Sequence, residues 1–131
     1  MKPRIFFSYT AKDSAYAELL ADLLKEKGFD TWTDANLTEG EEWSSRMLAA
    51  LKKSDLFIPL VSKEFFESSY ALMELGAAYS LDKRIIPILT SGDVEHLPLR
   101  FRKFQVVDAQ KTDKDSLLRI IEQQTRSELA A

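Results

Sequence analysis

Two periods of apolar residues run along this chain. Arg4–Tyr9, RIFFSY, is a short apolar run without strict alternation, the pattern of a strand covered on both faces. Thr10 and Asp13 follow with the spacing of a capping box. Tyr16, Leu19, Leu20, Leu23 and Leu24 then repeat at helical spacing, and Gly28 stands where a C-terminal cap belongs. Phe29–Thr33 reads as a second strand, and Asp34–Glu42, DANLTEGEE, as a polar, acidic loop. Trp43, Met47, Ala50 and Leu51 mark the apolar stripe of a second helix. Asp55–Val61 is a third strand, kept as a strand with room for a break or bulge near Pro59, which has no ladder donor. A short helical turn over Ser62–Glu67 leads into Ser68–Leu81, SSYALMELGAAYSL, a helix with Ser68 or Ser69 as N-cap. Its predicted buried stripe is Leu72, Leu75, Ala78 and Tyr79. Arg84–Leu89 is a fourth strand, interrupted by Pro87, and Phe104–Val107 a short fifth. A last helix starts near Thr112 or Asp113 and turns Leu117, Leu118, Ile120 and Ile121 inward.

Helices alternating with strands that are apolar throughout predict an α/β fold with a parallel sheet covered on both faces. Five strands at this length point to a flavodoxin-like three-layer sandwich in the order 2-1-3-4-5. The functional edge of such a sheet is its carboxyl end. That edge would collect Ser8–Thr10, the Asp34–Glu42 loop, Ser62 and the start of the Ser68–Leu81 helix.

Composition narrows the chemistry. The 131 residues fit one domain, with a core over about residues 3–125 and 126–131 as a tail or the start of a linker. A net charge of −3 gives no basic excess for nucleic-acid binding. No apolar run approaches the roughly 20 residues of a membrane span, and the first ten residues lack a signal-peptide core. The expected setting is cytoplasmic, which the absence of cysteine suits. One histidine, His96, and no cysteine exclude most metal sites and nucleophilic triads, and no metal or cofactor is expected. The four glycines, at 28, 40, 76 and 92, never cluster as a dinucleotide fingerprint or P-loop needs. Val61-Ser62 and Ser8-Tyr9 stand where a phosphoacceptor receiver domain needs acids.

Three separated stretches, FFSYTAKD, WTDANLTEGEEW and LVSKEFFESSYALMEL, together resemble the Toll/interleukin receptor (TIR) domain in its bacterial form. The resemblance covers about residues 3–125. It implies cleavage of NAD+ at the nicotinamide–ribose bond, with NAD+ as substrate rather than cofactor. The essential carboxylate maps onto Glu74, four residues after the helix aromatic, which is usually Trp in the family and is Tyr70 here. Tyr70 and Trp43 would contact the substrate, and Ser8 and Tyr9 the phosphate or ribose. Asp34, Leu37 and Gly40 mark the loop that packs against a neighbouring copy on assembly. The implied partners are NAD+, other TIR domains and a fused or separate sensor or effector domain, in defence signalling often directed against phage.

The chemistry suits these residue types. Nicotinamide leaves NAD+ as a neutral base, so no acid is needed on the leaving group, and one carboxylate can stabilise the oxocarbenium-like transition state. Aromatic faces suit the flat cationic ring. Each residue also has a plainer reading. A Glu on a helix is ordinarily solvated, Tyr70 and Trp43 can be packing residues, and Ser8 and Tyr9 can simply end a strand. Asp34 can brace its loop, whose acids can form a solvated face. Two alternatives in function stay open: a non-catalytic TIR–TIR scaffold, and an enzyme like the nucleoside deoxyribosyltransferases, which use a Glu at a glycosidic bond.

Overall fold

The structure, a computed structural model, describes residues 2–33 and 43–130; for Trp43, Ser44, Arg102 and residues 126–130 it describes the backbone alone. Five strands, β1 (Arg4–Ser8), β2 (Asp30–Trp32), β3 (Leu56–Val61), β4 (Ile88–Leu89) and β5 (Val107–Asp108), form one parallel sheet in the order β2-β1-β3-β4-β5. The helices are α1 (Ser14–Glu26), α2 (Trp43–Lys52), α3 (Lys63–Glu67), α4 (Ser69–Ser80) and α5 (Lys114–Ala130).

Successive strand residues point to opposite faces. Ile5 and Phe7 of β1, with Leu56, Ile58 and Leu60 of β3, pack against Leu20 and Leu24 of α1 and Leu117, Leu118 and Ile121 of α5. Phe6 and Phe57 face the other way, onto Met47 and Leu51 of α2 and Ala78 of α4. Ser8, next in the alternation after Phe6, therefore looks toward α4. Both faces of β3 are fully buried, as an all-apolar central strand requires.

Several elements are shorter than their patterns suggest, and β3 runs unbroken through Pro59. Pro59 sits within β3, paired in register with Ser8 of β1. The interruption falls on the neighbour instead. β3 meets the segment before β4 at an isolated bridge, Phe57–Ile85, and pairs with β4 itself only from Leu60–Ile88. Pro59 and Pro87 lie in that gap, and neither has an N–H to donate. β4 thus shrinks from the expected Arg84–Leu89 to two residues, and β5 lies at Val107–Asp108 rather than Phe104–Val107.

Caps follow the sequence in three places and fail in one. Gly28 takes a φ of +94° after α1, Ser68 accepts from the Ala71 N–H at 3.2 Å to start α4, and Asp113 accepts from the Ser116 N–H at 2.8 Å to start α5. The capping box expected at Thr10 and Asp13 is not made: neither side chain caps the backbone there. In α1, Leu19 is exposed, and the buried positions are Ala17, Leu20, Ala21 and Leu24.

Candidate active site

The site is built where β1 ends beneath α4. The buried positions of α4 are Ala71, Glu74 and Ala78; of the expected stripe Ala78 is buried and Leu75 partly so, whereas Leu72 is 41% and Tyr79 55% exposed. Two small alanines bring the helix close to the sheet, and the side chain between them is a carboxylate only 1% exposed. Ser8 is equally buried, and its hydroxyl donates to Glu74 Oε1 at 2.6 Å.

Burying a carboxylate costs several kcal/mol unless hydrogen bonds compensate it. Leucine at position 74 would avoid that cost but would leave the buried Ser8 hydroxyl without its acceptor. Glu74 also stands beyond the first turn of α4, which holds no acid, so the helix N-terminus gives it little support.

More polar groups gather along the same edge. Asp13, 8% exposed, and Thr10 each keep a side-chain oxygen, Oδ2 and Oγ1, buried without a hydrogen-bond partner among the described residues. Lys12 joins the turn after β1 to α3 through Glu64 at 3.0 Å. That hydrogen bond holds the Glu64 carboxyl below its ordinary range. Past the ends of β3 and β4 lies a cavity of about 350 Å³, lined among others by Ser62, Lys63, Phe66 and His96. Neither Ser8 nor Glu74 lines this cavity, and the Ser62 hydroxyl is engaged in capping α3 through the Phe65 N–H at 3.3 Å.

Of the residues singled out in the sequence, the structure brings Ser8 and Glu74 together. Tyr9 is separated from them: it packs on the α1 and α5 side of the sheet, as strand alternation requires. Tyr70 is 60% exposed, while Glu74 one turn later is buried, so the i, i+4 spacing does not give them a common environment. Trp43 opens α2, and its side chain is not described. Asp34, Leu37 and Gly40 lie outside the described residues. Sequence reasoning did not foresee the Ser8–Glu74 bond or the burial of Asp13. The signal available for Asp13 was an acid at a helix start, and the capping explanation absorbed it.

The family model for the TIR domain matches residues 5–121. This chain belongs to the TIR-domain family. No curated protein matches it in sequence. Among solved structures this TIR domain is similar to that of the Toll-related receptor TRR-2 from Hydra magnipapillata. The two are 21% identical with a TM-score of 0.81, over 93% of this chain and 97% of the other. A CMP N-glycosidase from Clostridium botulinum, BcmB, has a TM-score of 0.64 at 21% identity, over 91% and 98% of the two chains. The TIR domains of the activated Roq1 resistosome, which recognises the pathogen effector XopQ, have a TM-score of 0.62 at 21% identity, over 99% and 86%. At such identity the likeness is one of fold.

Proposed function

We propose that this TIR domain cleaves NAD+ at the nicotinamide–ribose bond, with Glu74 as the essential carboxylate. One observation carries the reading: the side chain that α4 turns into the sheet is a carboxylate, held by a buried serine hydroxyl. A buried carboxylate held by a hydroxyl at the carboxyl edge of the sheet is the kind of group that functional sites keep at a cost in stability.

In the reaction the C1′–N bond breaks and its electron pair leaves with neutral nicotinamide. Positive charge develops at C1′ and the ring oxygen, and the Glu74 carboxylate stabilises it and accepts from the ribose hydroxyls. Water then adds at C1′ and loses a proton to solvent, giving ADP-ribose; attack by an adenine nitrogen gives a cyclic isomer instead. Ser8 is a positioning residue, since its O–H fixes one carboxylate oxygen. Aromatic contacts to nicotinamide fall to Tyr70 and Trp43, and Tyr9 is no longer assigned to this side of the sheet. The N-glycosidase among the similar folds supports the reading, since its named activity also breaks an N-glycosidic bond.

At 1% exposure Glu74 is closed to substrate, so the described conformation is a resting one. Opening is coupled to self-assembly, with the loop carrying Asp34, Leu37 and Gly40 as the contact, in bacterial anti-phage signalling. The resistosome among the similar folds supports assembly as the trigger. The closed carboxylate also favours a second reading, a non-catalytic TIR–TIR module in which Glu74 only locks α4 to β1.

The test is NAD+ consumption at high protein concentration with products identified by mass, for wild type and a folded Glu74→Gln, with CMP as an alternative substrate. Nicotinamide release by wild type alone is the expected result. Wild type that stays inert even when fused to an oligomer leaves the scaffold, and CMP cleavage without NAD+ cleavage moves the substrate class.

A further inference from the structure

The outer side of α4 has a feature that the chemistry at Glu74 does not use. Between α4 and the 3-10 turn Leu99–Lys103 lies a cavity of about 480 Å³, within the size range of small-molecule sites. Leu75, Phe101 and Phe104 form its more buried part, and Gly76 lies among them on the helix. Arg100 and Lys103 line its exposed part, and no carboxylate lines it among the described residues. The Lys103 ammonium stands 3.8 Å from the centre of the Tyr79 ring and 5.6 Å from that of Phe104. It also donates to the Tyr79 hydroxyl at 2.5 Å. Two aromatic walls therefore bracket one cation.

Gly76 is the second observation. It sits in the interior of α4, where glycine costs about 1 kcal/mol relative to alanine. A Cβ built there would meet no atom within 4 Å, so nothing inside the chain requires glycine. Gly28 and Gly92 differ: each has a positive φ that explains its identity. What an absent side chain at 76 leaves open is the cavity itself.

We infer that this groove is a second ligand site, for a flat aromatic ring carrying a phosphate, the chemistry of a purine mononucleotide. The ring lies over Gly76 against Leu75, Phe101 and Phe104, and the phosphate accepts from Arg100 and Lys103. The site lies on a different flank of α4 from Ala71, Glu74 and Ala78, so ligand there bears on the helix that holds Glu74 without touching Glu74 itself. The inference does not depend on NAD+ being the substrate.

Calorimetric titration of the full chain with AMP, adenosine and inorganic phosphate tests it. AMP gives a saturable isotherm, and adenosine or phosphate alone binds at least roughly tenfold more weakly. Gly76→Leu, which fills the open space, and Lys103→Glu each weaken AMP by roughly tenfold or more, while Glu74→Gln leaves it unchanged. Circular dichroism and melting confirm the fold of each variant. No isotherm for AMP, or one indifferent to both groove variants, overturns the assignment. Loss of AMP binding in Glu74→Gln alone places the nucleotide under α4 instead and also overturns it. A concentration-dependent dimer that Gly76→Leu dissolves, with no AMP binding, gives the groove to a second copy and refutes the ligand site.

Discussion

Helices α1 and α4 pack on opposite faces of the same sheet, and their side chains are arranged by different rules. In α1 the inward residues, Ala17, Leu20, Ala21 and Leu24, are apolar at helical spacing, with Glu18, Asp22, Lys25 and Glu26 exposed. In α4 the inward residues are two alanines and Glu74, while Leu72, Met73 and Tyr79 are exposed. The burial pattern of α1 is what a scaffold helix needs. That of α4 is costly on both faces, with a carboxylate inside and apolar surface outside.

The contrast can be broken from either side. The largest effect is expected in the scaffold: Leu20→Ala, at a fully buried position, should cost about 2–5 kcal/mol in denaturant unfolding, with catalysis by the remaining folded protein unchanged. Next, Glu74→Gln should lower NAD+ cleavage by roughly 10²–10³-fold, the scale of a lost transition-state electrostatic contact. Its stability should change little, since the amide oxygen still accepts from Ser8. A stability loss as large as that of Leu20→Ala, with activity retained, would make Glu74 structural.

Ser8→Ala removes the donor and leaves the carboxylate buried, so unfolding should become easier by about 1–3 kcal/mol. Adding Glu74→Met to that variant should restore most of the loss, which a double-mutant cycle reads directly. On the outer side of α4 the sign reverses: Gly76→Ala should stabilise by up to about 1 kcal/mol, because the added methyl meets open space in a helical backbone. A lower melting temperature for that variant would mean the groove is narrower than it stands here.

The smallest effect compares two aspartates at helix starts. Asp113 caps α5, and the Ser116 N–H, then the Ser116 hydroxyl, hold its carboxyl below the usual range. A lowered folded value stabilises the folded state above the ordinary carboxylate pKa of about 4, and that contribution is lost as the pH falls through the folded value. Asp113→Asn should therefore flatten the acid limb of the stability curve slightly, measured as melting temperature between neutral pH and pH 3. Asp13 occupies the same place before α1 without capping it, so Asp13→Asn should not weaken α1 through loss of a cap.

The alternation of strands and helices and the sheet order were legible in the chain, because period and covering leave few topologies open. α1 was legible nearly to the residue, since its charges and leucines segregate; only Leu19 was misplaced. α4 was not. Its stretch from Ser69 to Ser80 has one charged residue, so almost any rotation presents an apolar face and the spacing cannot choose among them. The strand ends were blurred for a related reason: Pro59 looks like a breaker of its own strand, yet the missing pairing appears between it and Pro87 on the next.

By itself the sequence determined the family, the five-stranded parallel sheet and the position of Glu74 within a recognisable helix motif. Tertiary structure decided which way that helix faces. The alanines at 71 and 78 let α4 approach β1, the Ser8 hydroxyl gives the incoming carboxylate a donor, and the larger apolar residues are left outside. It also separated Tyr9 from Ser8, which adjacent positions on a strand must be, and it showed that Gly76 opens onto empty space. Periodicity reports only what a helix would prefer to bury; the partner across the gap determines what it does bury.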